Sequence, residues 1–295
     1  MQDKDTGIRL GFTFWISLGW IVLVVFSAAT VGWWAIPEPD KMDWDNLSAR
    51  PGMIADEAIL QDIGDTKKSP CTHWLGTDTM GRDLASRIVY GSRISLSVGL
   101  IAPMIGLLIG GLIGCLAGFY RGLLESIIVA IMDVILAFPG LVLLLAVTFY
   151  LGASLQNLIV SLGFLTIPIF CRVARAKTLA LSGLEFVQAA RLTGAGDMTI
   201  LFREIIPNVI VPVAIYGLLV VAFMIMAEGA LSFLGLGIPP PSPSWGGMIA
   251  EGREVLDESP HVSMIPAAIM CLTVVSFNLI GDSLRNYFER GKSQL

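Results

Sequence analysis

Long apolar runs alternate with short polar segments along the whole chain. No charged residue occurs between Arg9 and Glu38, or between Arg93 and Arg121. Each run is long enough for a helix that crosses a bilayer, which needs about 20 residues. The pattern predicts an all-α, polytopic membrane protein with six membrane-spanning helices. These spans are expected at about 12–36, 94–120, 124–150, 157–174, 208–235 and 262–282.

The polar segments divide the chain into regions. Residues 1–36 hold the N-terminus and the first span, and residues 37–93 form a long polar loop. Residues 94–288 form a core of five spans, and 289–295 form a short tail. A polar, helix-prone loop at 181–208 interrupts this core.

The distribution of basic residues predicts the orientation in the membrane, because loops on the cytoplasmic side carry an excess of Lys and Arg. Of the 19 Lys and Arg residues, 11 lie in the termini, the turn at 121 and the segment 172–207. We therefore expect both termini and the 181–208 loop to be cytoplasmic. The loops 37–93 and 236–260 are expected outside, where 14 acidic residues outnumber 8 basic ones.

The composition supports a membrane protein and argues against a protein that binds nucleic acid. Hydrophobic residues make up 55% of the chain, charged residues only 15%, and the mean hydropathy is +0.75. A soluble domain usually carries about 25% charged residues. The net charge of −5 argues against a nucleic-acid partner, which needs a basic face.

The 181–208 loop carries the densest helical signal outside the spans. Four apolar residues and three polar ones predict a short amphipathic helix: Leu184, Phe186, Val187 and Leu192, with Glu185, Gln188 and Arg191. Gly194 and Gly196 are expected to end this helix. Asp197 is placed to cap a second short helix at 198–205, and Pro207 is expected to break it and start the next span. An amphipathic helix lying in the membrane interface is the alternative.

The spacing in this loop, Q-A-A-x3-G-x9-E-x-I-P, resembles the EAA loop of ABC-importer membrane subunits, E-A-A-x3-G-x9-I-x-L-P. The chain departs from that pattern at Gln188 and Glu204. In that family the loop docks in a groove of the ATP-hydrolysing subunit. The residues predicted to couple the chain to that subunit are Gln188, Ala189, Ala190, Gly194, Asp197, Glu204 and Pro207.

Three further stretches are similar to the dipeptide/oligopeptide C-type permeases: 75–96, 132–141 and 231–253. The resemblance implies a permease subunit in a prokaryotic cytoplasmic membrane that imports di- or oligopeptides. It also implies a homologous permease partner, two subunits that bind ATP and Mg²⁺, and an extracytoplasmic solute-binding protein. Permeases for nickel or haem are an alternative within the family. A secondary transporter and a membrane scaffold are alternatives outside it.

Charged residues within or beside the spans are candidates for function, because a charge inside a bilayer is costly. Asp133 and Glu228 are candidate pathway residues, and a hydrogen bond between helices or subunits is the alternative that we favour for Asp133. Asp78, Arg82 and Asp83 are candidate contacts for the external protein. Alternatively, they pair with each other and cap a helix, with Arg87 as the i+4 partner of Asp83.

The sequence predicts no catalytic site, metal site or bound cofactor in this chain. It lacks the Gly-x4-Gly-Lys-[Ser/Thr] loop that cradles nucleotide phosphates. Cys71 and His73 supply only two possible metal ligands, and His261 is the one other histidine. Zinc sites use three or four protein ligands. Any ATP and Mg²⁺ are expected on the partner subunits.

Overall fold

The computed structural model describes residues 11–34, 36–52 and 73–292, with side chains up to residue 288. Regular structure in these ranges is helical. Extended backbone pairs only at isolated bridges, between Met42 and Arg82 and between Thr77 and Asp83. The predicted all-α class is confirmed.

Eleven α-helices are defined within the described ranges. They are α1 Phe12–Thr30, α2 Leu84–Ile105, α3 Gly111–Tyr120, α4 Gly122–Ala137, α5 Gly140–Leu151, α6 Leu155–Ser182, α7 Glu185–Leu192, α8 Asp197–Ile200, α9 Ile206–Phe233, α10 Trp245–Gly252 and α11 His261–Lys292. Two π-helical turns, Gly106–Gly110 and Leu201–Ile205, join α2 to α3 and α8 to α9 without a break in the helix.

Five helices in the described ranges are long and apolar enough to cross a membrane: Phe12–Trp33, Leu84–Tyr120, Leu155–Ser182, Asp197–Phe233 and His261–Phe288. Helices α4 and α5 give a sixth span if they are counted as one. They meet at an angle of 76°, so the span predicted at 124–150 is broken beside Pro139 and is not one continuous helix. Pro139 lacks an N–H group and forces the preceding Phe138 into extended backbone, with ψ 128°.

The second span begins earlier than the uncharged run suggests. Helix α2 starts at Leu84, so the last part of the predicted 37–93 loop is helical. Arg87 forms ion pairs and Arg93 donates to the Ala28 carbonyl oxygen, and a count of uncharged residues cannot anticipate such contacts.

The described residues form two compact units. The first lies within Met1–Trp20, Ser97–Met224 and Val274–Leu295, and the second lies within Ile21–Leu96 and Ile225–Thr273.

In the first unit, α3 and the preceding π-turn pack closely on α6. A Cβ atom on Gly110 would overlap the carbonyl oxygen of Ile167, and one on Gly114 would overlap that of Cys171. Gly106, Gly110 and Gly114 lie four residues apart, a spacing that predicts a ridge of small residues on which another helix packs closely. These contacts confirm that prediction, because only residues without side chains let two backbones approach so closely.

In the second unit, the short helix α10 packs against the start of α2. Leu84 and Ile88 form an apolar cluster with Met248 and Val262. The indole nitrogen of Trp245, which is fully buried, donates to the Ile88 carbonyl oxygen at 3.1 Å. Ser244 caps α10 by accepting a hydrogen bond from the Gly247 N–H at 3.0 Å.

Candidate functional site

Helix α7 ends in a turn that depends on glycine. The Ala195 N–H donates to the Ala190 carbonyl oxygen at 3.1 Å, and the Gly194 N–H donates to that of Arg191 at 3.0 Å. These are the two hydrogen bonds of a Schellman motif, with Gly194 in the left-handed region at φ 83°. Gly196 has φ −70° and is the residue before α8. The prediction that glycine ends α7 is confirmed at Gly194.

The 181–208 loop exposes five large apolar side chains and buries four others. Val187 is 1% exposed and anchors α7, whereas Leu192 is 89% exposed. We call the exposed set the apolar surface of the loop: Leu184, Phe186, Leu192, Met198 and Phe202. Exposed apolar side chains grouped beside polar ones are typical of a surface that binds another protein.

The residues that carry the sequence pattern lie on the outside of the loop. Gln188 and Ala189 are exposed and Ala190 is half-buried. The Gln188 amide nitrogen donates to the Gly183 carbonyl oxygen at 3.3 Å. Pro207 is exposed and Glu204 is half-buried. A partner could therefore reach these positions.

Weak contacts join the loop to the end of α3. The Arg191 guanidinium lies 5.6 Å from the centre of the Phe119 ring and 3.9 Å from the Asp197 carboxylate. The Tyr120 hydroxyl lies 3.7 Å from the Met198 sulfur. The ionic pair is exposed, and such pairs contribute at most about 1 kcal/mol.

The connection from the loop to the next span differs from the prediction. The backbone is helical without interruption over Asp197–Phe233, so the expected break at Pro207 is wrong. The π-turn Leu201–Ile205 lies just before Pro207 and changes the local hydrogen-bond register, which lets a helix accept a proline. Asp197 is the first residue of α8 rather than its cap. The part of the loop from Asp197 onward is thus continuous with α9.

A cavity of about 520 Å³ lies beside this junction. Its walls come from α6, α9 and α11 and include Lys177, Leu181, Pro207, Asn208 and Arg285. A displacement of Pro207 would change the shape of this cavity.

Comparison with known families matches residues 110–294 to the family described as "Binding-protein-dependent transport system inner membrane component". The match includes the whole 181–208 loop and more than half of the chain. The chain belongs to this family. It is therefore a permease, the multi-pass inner-membrane subunit of an ABC importer. Permeases of this family work with ATP-binding subunits and a binding protein.

Curated relatives of this permease are similar over most of the chain. The glutathione transport system permease protein GsiD of Shigella flexneri is 39% identical over 270 residues, which cover 91% of this chain and 83% of the relative. That of Pectobacterium atrosepticum is 43% identical over 217 residues, covering 74% and 72% of the two chains.

A solved structure supports the fold. A chain of the MetNI methionine ABC transporter, in an inward-facing conformation, matches with a TM-score of 0.55 at 19% identity. The match covers 68% of this permease and 96% of that chain.

The candidate contacts Asp78, Arg82 and Asp83 are buried in the second unit, with exposures of 2%, 2% and 5%. Asp83 caps α2 by accepting a hydrogen bond from the Ser86 N–H at 2.7 Å, as predicted. Its other oxygen contacts His73 Nδ1 at 2.9 Å. The expected ion pair between Asp83 and Arg87 is not formed. The geometry favours the structural alternative for all three residues.

Arg87 pairs instead with two carboxylates that its helical spacing does not suggest. Its Nε lies 3.3 Å from Asp78 and its Nη2 lies 3.0 Å from Glu251. Arg82 contacts the same two carboxylates, at 2.6 and 2.7 Å. We call Asp78, Arg82, Arg87 and Glu251 the buried cluster. It fastens the loop before α2 to α10.

Glu228, a candidate pathway residue, is fully buried in the second unit. It accepts hydrogen bonds from the hydroxyls of Ser95 at 3.2 Å and Ser232 at 2.8 Å. The Ser95 oxygen also accepts from the Trp245 N–H at 3.1 Å. These contacts link α2, α9 and α10 and favour a structural role for Glu228.

Asp133, the other candidate, forms an ion pair between α4 and α6. Arg172 Nη2 donates to Asp133 Oδ1 at 2.6 Å, and both side chains are more than half exposed. A second pair, between Arg175 and Glu125, joins the same helices, with Nε donating at 2.7 Å. A hydrogen bond between helices is the alternative that the sequence favours for Asp133, and the structure shows such a contact.

The described residues contain no group of three or more His, Cys, Asp and Glu side chains arranged to hold a metal ion. Cys71, one of the two ligands considered, lies outside the described residues. His73 contacts Asp83 and lies 3.6 Å from Asp43.

Sequence reasoning did not identify Glu251 or Arg172 as partners. Glu251 is separated from Arg82 by 169 positions, so no local spacing connects them. The sequence does indicate Arg172 as a partner of Asp133, because Asp133 is the only charged residue between Glu125 and Arg172. An isolated acid and the next base along an apolar sequence are reasonable partners in a bilayer.

Proposed function

We propose that this permease forms half of a pathway for peptides and transmits the movement of an ATP-hydrolysing subunit through the 181–208 loop. The observation that carries the proposal is the loop itself. Its apolar surface is exposed, and its chain continues as an unbroken helix into α9.

The transmission follows from this continuity. A subunit that grips α7 acts on a short helix with a fixed end at Gly194. The force passes through α8 and the π-turn to Pro207 and then along α9. Because the helix has no break, α9 responds as a lever, and a push on the loop becomes a movement of a membrane span. Such movements of spans open a pathway alternately to each side.

The proposed assembly contains a homologous permease, two ATP-binding subunits and an extracytoplasmic binding protein. In it, the loop and both termini are cytoplasmic, which the 11 basic residues of the termini, the turn at 121 and the segment 172–207 support. ATP and Mg²⁺ act on the partner subunits. This chain itself has no ATPase site and holds no cofactor, consistent with the lack of a phosphate-binding Gly-x4-Gly-Lys-[Ser/Thr] sequence.

The proposed solute is a short peptide. The relatives named above are glutathione permeases, and glutathione is a tripeptide. Dipeptides and oligopeptides belong to the same chemical class. Nickel and haem are the second candidates, and the binding protein that delivers the solute discriminates among all of these.

The complex reconstituted in lipid vesicles tests this function. With the cognate binding protein outside and ATP inside, we expect uptake of radiolabelled peptide, and no uptake without ATP. A panel of dipeptides, glutathione, a longer peptide, nickel and haem identifies the solute. Uptake of nickel or haem alone would contradict the peptide assignment.

Deleting 184–200 separates this function from the two rival classes. The deletion should abolish ATP-dependent uptake while the protein remains in the membrane. A secondary transporter would still move solute in ATP-free vesicles. A scaffold would show no uptake with or without the deletion. Either result would overturn the proposal.

A further inference from the structure

The ion pair between Asp133 and Arg172 is exposed although both residues lie in membrane-spanning helices. The side chains are 54% and 56% accessible on the surface of the chain. The neighbouring pair, Arg175 with Glu125, is more covered, at 33% and 18%. The two pairs therefore differ in surroundings although they join the same two helices.

The exposed pair lies in the half of the membrane nearer to the start of α4. Asp133 comes 11 residues after Gly122, the first residue of α4, which corresponds to about 16 Å along a helix. Arg172 lies two residues before the end of the span expected at 157–174, and the rest of α6 also carries Arg175 and Lys177. The start of α4 and the end of α6 lie on the same side of the membrane, because the spans alternate in direction. The pair therefore lies in the cytoplasmic half of a hydrocarbon core about 30 Å thick.

The polypeptide is also irregular next to this pair. The helix breaks at Phe138 and Pro139, five residues beyond Asp133, and Phe138 is 60% exposed. Irregular backbone at membrane depth is tolerated only where it is buried in protein or lines a water-filled cavity, because lipid offers no hydrogen bonds. Exposed charges are subject to the same restriction. The irregular backbone therefore favours protein or water over lipid on this face.

We propose that the face of α4 and α6 bearing Asp133 and Arg172 lines the solute pathway, where the two side chains bind the charged termini of a peptide in transit. Arg172 takes the peptide carboxylate through its planar guanidinium, and Asp133 takes the ammonium group. The inference rests on the proposed function and adds a named position at which the solute is held.

The chemistry of the pair matches such a solute. A zwitterionic peptide carries one negative and one positive group, and each finds its complement here. Between solutes, the two side chains satisfy each other at 2.6 Å, so neither charge is left alone at membrane depth. Val134, the next residue of α4, is apolar and exposed. In other transporters, broken helices also form solute sites.

Cysteine accessibility in the assembled complex tests this placement. Ala137→Cys is made in a chain whose own cysteines are replaced, because Ala137 is exposed one turn beyond Asp133 on the same face of α4 and the ion pair stays intact. A charged, membrane-impermeant thiol reagent should label it, and transported peptide should slow the labelling several-fold. Ile131→Cys is the matched control, because Ile131 is 51% exposed but lies about 120° around α4 from Ala137 and about 160° from Asp133. If the thiol introduced at position 137 stays unreactive, or reacts at a rate that peptide does not change, the placement is overturned.

A conservative variant covers the case in which the cysteine chain fails to assemble. Arg172→Lys keeps the positive charge but loses the planar contact with a carboxylate. It should raise the KM for a peptide with a free C-terminus several-fold, and leave that for the C-terminally amidated peptide unchanged. Equal effects on both peptides would indicate a purely structural pair. If the unaltered complex imports no peptide at all, the proposed function fails instead, so the two failures are distinguishable.

Discussion

The buried cluster and the 181–208 loop are both rich in polar residues, but they use them in opposite ways. In the cluster, Arg82 and Arg87 are 2% and 1% exposed, and their charges are matched by Asp78 and Glu251. In the loop, the one ion pair, between Arg191 and Asp197, is long at 3.9 Å and more than half exposed.

The difference indicates where each region finds its partners. The cluster satisfies its charges within the chain and so stabilises the fold. The loop leaves both its polar residues and its apolar surface open, which is unfavourable for a chain alone and favourable for one that binds another subunit. Substitutions should therefore damage stability in the cluster and coupling in the loop.

The largest effect is expected from Arg87→Gln in the cluster. It leaves Asp78 and Glu251 with only one of their two cations, Arg82, and breaking a buried pair costs up to about 3–5 kcal/mol. Thermal unfolding of the purified permease in detergent should shift to a clearly lower temperature. Arg50→Gln is the control, since Arg50 is exposed in the same polar segment. Equal unfolding temperatures for the two variants would show that the cluster does not stabilise the fold.

Gly194→Val should uncouple the loop with little effect on the fold. A residue with a Cβ at φ 83° costs about 1–2 kcal/mol, which corresponds to a factor of about 5–30 in the population of the correct turn. Peptide-stimulated ATP hydrolysis by the complex should fall by that factor.

Gly183→Val is the matched control for this change. Gly183 has φ −90°, and for both glycines an added Cβ meets no atom within 4 Å. The two glycines therefore differ in backbone conformation and not in the space available for a side chain. Normal stimulation in the Gly194 variant would refute the role of this turn.

Leu192→Ser tests the apolar surface of the loop. Burying a leucine side chain contributes about 1.5–3 kcal/mol, so the affinity for the ATP-binding subunit should fall at least about tenfold. The thermal unfolding of the isolated permease should not change, because Leu192 packs on little in this chain. Leu151→Ser, at a position 68% exposed, should leave that affinity intact. Similar losses in both variants would mean that the surface is not specific.

The smallest effect concerns pH in the polar segment 37–93. Partial burial raises the pKa of Asp43, but hydrogen bonds from Asn46 and the Asp45 N–H, together with His73, outweigh this and hold the pKa below its ordinary value. The charged form is thus favoured by folding, and its stabilisation is present above about pH 4 and lost as pH falls through the lowered pKa. Asp43→Asn should reduce the slope of stability against pH in that range. An unchanged slope would show that Asp43 makes no such contribution.

Much of the fold is predictable from the sequence, because hydrophobic runs and glycine spacing are local signals. The α7 helix, its end at Gly194 and the ridge at Gly110 and Gly114 follow from a few adjacent positions. The six spans follow from the absence of charge, which the bilayer imposes on any sequence.

The predictions fail where a local sequence rule is overridden by the surrounding structure. The sequence predicts a helix break at Pro207, but the π-turn before it absorbs the missing hydrogen bond. The sequence also predicts a span that includes Pro139, but the helices before and after this proline meet at an angle of 76°. Asp83 and Arg87 have the spacing of a helical pair, yet Arg87 binds Glu251, which is 164 positions away. The coupling roles of Gln188, Ala189, Ala190, Asp197, Glu204 and Pro207 stay predictions.

Site-specific photo-cross-linking tests the central claim that the loop is a docking surface most directly. A benzophenone amino acid replaces Leu192 in one chain and Trp33 in another, because both positions are 89% exposed. In the assembled complex, the probe at 192 should cross-link to the ATP-binding subunit with a yield that changes when ATP is added. The probe at 33 should give no such product. If both probes give the same products, or if the probe at 192 reacts only with lipid, the loop is not the docking surface.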